Sequence, residues 1–153
     1  MKAWFRGQID SEAGQSFVTD DMVFRMPPSG IRDLTGGLPW RGRDSLRRLG
    51  ILDRALYKTY GQPSTMNLHF MIEEGDFVLM QFDSQFDTWT DQKYHNYYVI
   101  AVRFEGDKIA EAWDLADTAY VEDTIFESPE AKAGFSRRIA EARAQMGAPD
   151  DAW

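Results

Sequence analysis

The sequence predicts an α+β domain built around an antiparallel meander, and three observations predict it. Between residues 65 and 115, four runs rich in β-branched and aromatic side chains include two pairs joined by Glu74-Gly75-Asp76 and Glu105-Gly106-Asp107, tight turns that favour antiparallel pairing. From Asp44 the apolar period changes, with Leu46, Leu49, Leu52, Leu56 and Tyr60 recurring at three and four residues as on one face of a helix. At the far end Ser128-Pro129-Glu130 reads as a helix start, followed by Phe135, Ile139, Ala142 and Met146 on one face and Gly147 as a stop.

The elements follow in order. Residues 3–19 predict a short helical segment anchored by Trp4, Phe5, Ile9 and Phe17 and weakened by Gly7 and Gly14. A first strand is expected over Met22–Met26, then a loop over Pro27–Gly42 whose Gly30, Gly36, Gly37 and Pro39 exclude regular structure and whose position suits the rim of a pocket. Asp44 is placed to cap the next helix, which Gly61 and Pro63 end. Strands are expected over Thr65–Glu73 and Phe77–Phe86. A third strand runs from Tyr94 to Phe104, with Tyr94, Asn96, Tyr98, Ile100 and Val102 on one face, and a fourth from Ile109 to Leu115. The apolar stripe of the C-terminal helix has to pack on something, either the chain's own sheet or a partner subunit.

With 153 residues and 14% aromatic content, the chain has the length of one domain and the means to fill a core. A net charge of −8 and a pI near 4.7 argue against a nucleic-acid surface, since binding phosphates needs clustered Lys and Arg. The absence of cysteine removes disulfides, zinc-thiolate sites and thiol nucleophiles, and fits a reducing compartment. The amino-terminal residues show no apolar signal region and no run is long enough to span a bilayer, so no membrane partner and a cytoplasmic location are expected.

The chemistry-bearing residues are carboxylates at the end of a strand. Alternation sends Ala110, Ala112, Asp114 and Ala116 to one face and Ile109, Glu111, Trp113 and Leu115 to the other, and the alanine face leaves room for a ligand. An Asp delivered there among aromatic and aliphatic groups has its ionised form disfavoured, which makes it a usable proton donor or acceptor. Asp114 and Asp117 cannot both face one pocket in an unbroken strand: either the strand bulges or ends near Leu115, or one of them is structural, for instance capping the turn at 118–121. His69 is either a proton partner for an Asp, if its face is concave, or a histidine on a partly solvated sheet face, which is the preferred reading; His95 points outward. Two histidines at these positions give no metal-ligand spacing, so no metal is expected. Gly36-Gly37 lacks a phosphate-loop or dinucleotide frame, no Ser-His-Asp order stands out, and no cofactor is expected.

The order Tyr94-x-Asn96-x-Tyr98, Gly106-Asp107-Lys108-Ile109 and Glu111-x-Trp113-x-x-x-Asp117, with Thr19-Asp20-Asp21 leading through a strand to Pro27 and Arg41-Gly42-Arg43-Asp44 opening a helix, resembles the nuclear transport factor 2-like superfamily, nearest its SnoaL-like polyketide cyclases. The resemblance covers roughly residues 3–126, the core of a single 1–153 domain, with 128–147 as an additional C-terminal helix. It implies a cone-shaped, strongly bent antiparallel sheet whose pocket is closed by N-terminal helices, and a homodimer formed through the sheet's outer face. It also implies a cofactor-independent acid-base enzyme, a cyclase, isomerase or dehydratase acting on a small hydrophobic, carbonyl-bearing, polyketide-like ligand. The alternatives are a small-molecule binding protein or a dimeric interaction module of the same fold.

In SnoaL-like cyclases the acid-base aspartate falls at Asp117, and in the phenazine-biosynthesis members a pocket acid falls at Asp114; Asp117 is preferred here. Asn96, Tyr98 and His69 are candidates to donate to a developing enolate, with Trp4 and Trp113 as further ligand contacts. Three chemistries of the superfamily fit poorly. Met26 stands where ketosteroid isomerases carry their base, and their oxyanion tyrosine falls near Lys2; the strand from Phe77 to Phe86 has Asp83 but no Arg for an epoxide-hydrolase site; and Ala101 and Arg103 stand near where the cyclases carry an assisting histidine.

Overall fold

The computed structural model describes residues 12–26, 39–59, 64–145 and 147. In chain order these form α1 (Glu12–Ser16), β1 (Val18–Arg25), β2 (Trp40–Arg41), α2 (Asp44–Leu56), β3 (Thr65–Glu74), β4 (Phe77–Asp87), β5 (Lys93–Glu105), β6 (Lys108–Ala116), α3 (Thr118–Ile125) and α4 (Pro129–Gln145). The strands make one curled, unclosed sheet of order β2-β1-β6-β5-β4-β3. β3 to β6 are the expected antiparallel meander, whereas β1 runs parallel to β6. A parallel pair needs a long crossover, and the chain between β1 and β6, with α2 in it, supplies one.

Gly75 and Gly106 each hold a positive φ, 56° and 64°, at the first central position of a two-residue hairpin, where only glycine is unstrained. The helix expected to reach Tyr60 ends at Leu56, because Tyr57 is extended and bridges to Thr88. Asp44 is not its cap. Arg43 holds the cap position without a side-chain bond, and Asp44 sits in the first turn, where a negative charge favours the helix dipole. Of the helical segment expected over 3–19, residues 12–19 are described, and only Glu12–Ser16 is helix: Phe17 lies in a turn, and Val18 and Thr19 already belong to the first strand, which starts earlier than expected. Met146 and most of the loop over 27–42 lie outside them.

The inner face of the sheet carries Phe24, Val78, Met80, Phe82, Tyr94, Ile100, Val102 and Ala112, which share one buried core with Leu46, Ile51, Leu52 and Ala55 of α2. A register shift between Arg103 and Phe104 lets Ile109 turn inward beside Ala110, although strict alternation put it outside. α4 begins with the Ser128 hydroxyl accepting from Ala131 N at 3.1 Å and buries Phe135, Ile139 and Ala142. Its partner is α2 of its own chain: the Arg138 guanidinium donates to the carbonyls of Ala55 (2.8 Å) and Tyr57 (2.6 Å), supplying donors to carbonyls at the end of α2. No helix among the described residues is long and apolar enough to cross a membrane.

Candidate acid-base site on the inner face of the sheet

β6 carries Asp114 to the inner face because Asp114 is paired with Ile100 and lies two residues from Ala112, which faces Val102. The residue is half-buried, while its Oδ1 is shielded from solvent and has no hydrogen-bond partner among the described residues. Desolvation alone pushes its carboxyl up to about 7. A carboxyl at that value holds both protonation states near neutral pH, which general acid-base work requires.

Beside it runs a chain of polar groups on β5. Tyr94 and Tyr98 share a hydroxyl–hydroxyl hydrogen bond of 2.7 Å, and Asn96 Nδ2 donates to the Tyr94 hydroxyl at 2.9 Å. Burial, the largest cause, raises both phenols above their ordinary value of 10, Tyr94 to about 12 and Tyr98 well above that ordinary value; the negative charge of Asp114 adds to each shift. Tyr98 stacks on Phe82, and Tyr94 on Phe86, so the rings are held by aromatic neighbours on the same face.

Asp117 is placed differently. It is exposed, ends β6 and caps α3, its Oδ1 accepting from Tyr120 N at 3.1 Å. The strand stops at Ala116, so alternation no longer constrains Asp117. Of the two carboxylates, the one preferred from sequence is the helix cap, and the other is the buried, unpaired one.

Of the four remaining candidates, Asn96 stays beside this site, two turn to the outer face and one is not described. Asn96 is buried on the inner face with both amide protons spent: besides the Tyr94 bond, Nδ2 donates to the Asp117 carbonyl at 3.1 Å, and Oδ1 accepts from Tyr97 N at 2.8 Å. It has no proton left to donate to a ligand. His69 lies at a bulge in β3 and turns to the outer face, where its Nε2 meets Asp83 Oδ1 at 2.7 Å. Trp113 also faces outward, under the Arg25 guanidinium at 5.1 Å from its ring. Trp4 lies outside the described residues.

Sequence reasoning missed two groups. One is the Tyr94 hydroxyl, whose signal was the period-2 spacing of Tyr94, Asn96 and Tyr98. The other is Asp83, 4% exposed on the outer face, with Asn67 and Gln85 donating to Oδ2 at 3.0 and 2.9 Å and His95 Nε2 3.2 Å away. Hydrogen bonds, first that of Gln85, hold Asp83 down at about 2. Its partners come from β3, β4 and β5, and no signal in a lone strand reports such a cross-strand cluster.

The fold is shared with solved structures. An NTF2-like protein of unknown function from Burkholderia pseudomallei superposes with a TM-score of 0.64 at 16% identity, over 73% of this chain and 82% of that one. A Jannaschia protein designated a SnoaL-like polyketide cyclase gives 0.62 at 12% identity, over 75% and 77%. TerC, co-crystallised with polyporic acid, gives 0.65 at 19% identity, over 82% and 92%. At such identities the likeness is one of fold. No curated protein matches the sequence. Residues 1–112 match the family model of the SnoaL-like domain, and on that span the chain belongs to the SnoaL-like family.

Proposed function

We propose that the protein is a cofactor-independent acid-base enzyme acting on a small hydrophobic ligand whose reacting carbon lies next to a carbonyl. The observation that carries this reading is the Asp114 carboxyl: shielded at Oδ1, unpaired among the described residues, raised to about 7 and set beside a buried pair of phenol hydroxyls. The cyclase designation of one fold neighbour and the polyporic acid bound to another are in keeping with it.

In this reading the Asp114 carboxylate takes the proton from the carbon beside the carbonyl. The C–H electron pair passes to the carbonyl oxygen as an enolate, to which the Tyr98 hydroxyl donates. In a cyclisation the enolate carbon attacks a second carbonyl of the same ligand, a C–C bond forms, and Asp114 returns its proton to the new alkoxide. Nothing is gained or lost overall, and no cofactor is needed.

The test is exchange of the α-protons of 1-tetralone in D₂O, followed by NMR. Wild-type protein should accelerate exchange, and Asp114→Asn should lower the rate about 10²- to 10⁴-fold while retaining tetralone affinity, because the shapes match. Asp117→Asn, which still caps α3, should exchange at the wild-type rate. Equal exchange by wild type and Asp114→Asn sinks the acid-base reading. Tight binding with no exchange at all leaves a binding protein.

The same fold carries a second proposal, a homodimer. Phe70, Ile72, Phe77, Leu79, Tyr97 and Leu115 lie on the outer face by strand register and are exposed, Ile72 by 58% and Leu115 by 55%. Such a contiguous apolar face marks an interaction surface, and a second copy of the chain offers a self-complementary partner for it.

A further inference from the structure

Asn96 has no freedom in how its amide is oriented. Its Oδ1 faces Tyr97 N–H, which can only donate, and its Nδ2 faces the Asp117 carbonyl, which can only accept. A flipped amide would set donor against donor and acceptor against acceptor. The remaining Nδ2 proton therefore goes to the Tyr94 oxygen at 2.9 Å.

That fixes the next bond. Tyr94 is 3% exposed, and its hydroxyl has two partners among the described residues, Asn96 Nδ2 and the Tyr98 hydroxyl. Since Nδ2 cannot accept, the Tyr94 proton has one acceptor, the Tyr98 oxygen at 2.7 Å; pointed anywhere else, it would be a buried donor without a partner. The Tyr98 oxygen then receives, and its own proton has no acceptor among the described residues. Tyr98 pairs with Ala116 and Ile100 with Asp114, so Tyr98 and Asp114 are diagonal neighbours on one face. Yet no hydrogen bond joins the Tyr98 hydroxyl to the carboxyl, whose Oδ1 is itself unpaired.

We infer that Asn96 and Tyr94 are positioning residues of a one-way hydrogen-bond relay, Asn96 to Tyr94 to Tyr98, whose free end presents a proton to the ligand. The ligand atom at that end is accordingly a hydrogen-bond acceptor, which in the ligand proposed above is the carbonyl oxygen. This rests on the proposed ligand site at Asp114, but it does not require turnover. Burial keeps both phenols neutral, so the relay donates throughout the neutral range.

The relay is tested with two probes of one shape, 1-tetralone and its hydrocarbon counterpart tetralin, by titration and by the infrared carbonyl stretch of bound tetralone. Wild type should favour the ketone about fivefold, the share of one neutral hydrogen bond, and should lower the carbonyl frequency. Tyr98→Phe should abolish both effects and leave tetralin affinity unchanged. Tyr94→Phe, which keeps the stacking ring, should shrink the frequency shift at unchanged tetralin affinity. A merely structural Tyr94 would not move that readout. Asn96→Asp puts an acceptor against Tyr94, reverses the relay and should remove the ketone preference; if that variant fails to fold, Tyr94→Phe decides alone.

A wild-type protein that takes up neither probe, or both equally, overturns the inference, as does a full frequency shift in either Tyr variant. Asp114→Asn separates it from the catalytic reading. Ketone preference with no proton exchange in the wild type removes the enzyme and keeps the relay, whereas exchange that survives Tyr98→Phe unchanged removes the relay and keeps the base.

Discussion

At the scale of single residues, two aspartates three positions apart have opposite physical roles. Asp114 is an acid whose folded-state value, about 7, lies above its ordinary value of 3.8. Between those limits the folded state holds the proton more tightly than the unfolded chain, so stability falls as pH rises through this window and is flat above it. Asp114→Asn cannot ionise. Relative to wild type it should therefore be more stable at pH 8 than at pH 5, by an amount on the order of a few kcal/mol, read from urea unfolding at the two pH values. The same relative stability at both would mean that the carboxyl is solvated. Asp117→Ala should cost about 0.5–2 kcal/mol at neutral pH through loss of the α3 cap, with proton exchange unchanged. Sequence could bring both aspartates to the end of β6 but could not choose between them. The choice depends on where the strand stops, and Ala116 gives no chemical stop signal. The inward parity of Asp114, Asn96 and Tyr98 and the partly solvated face of His69 were legible from alternation; the engagement of both Asn96 amide protons and the bulge at His69 were not, because they depend on the carbonyl of a helix cap and on a local register shift.

At the scale of elements, the long strands and both main helices were legible because their periodicity is repeated over many residues, as in Phe77–Asp87 and Asp44–Leu56. The parallel placement of β1 was not, since strand order depends on contacts far apart in sequence. The seat of α4 shows why its face could not be assigned from its stripe alone. At Gly134 an added Cβ would clash with Cη2 and Cζ3 of the Trp89 ring, so helix and indole meet only where a side chain is missing. Gly134→Ala should accordingly lose about 1–3 kcal/mol by overpacking, against the gain of roughly 1 kcal/mol that alanine brings to an exposed helix interior. Thermal unfolding decides the sign. A more stable variant would show that Trp89 moves aside freely and that α4 is loosely seated.

At the scale of the whole molecule, the curl of the sheet separates two surfaces of different chemistry. The inner one carries the buried core and keeps Asp114 Oδ1 from water; the outer one exposes aliphatic and aromatic side chains in register, Ile72 beside Leu79 and Leu115 beside Val99, around the polar cluster of Asp83. Among the described residues those side chains stay exposed, and in the proposed homodimer a second copy covers them. Leu115 is the informative position because it alternates with Asp114: a change there touches the outer face and leaves the inward parity of β6 intact. Leu115→Arg would set two unpaired charges against each other across a two-fold interface. The variant should sediment as a monomer at micromolar concentration where wild type sediments as a dimer, with a dimer Kd raised at least about tenfold by more than roughly 1.4 kcal/mol. Its folding should remain intact, because the side chain is already exposed in the single chain. A wild-type protein that sediments as a monomer, or a Leu115→Arg protein that stays dimeric, would move the contact away from this face. If the variant is monomeric and still exchanges tetralone protons at the wild-type rate, the acid-base site is complete within one chain.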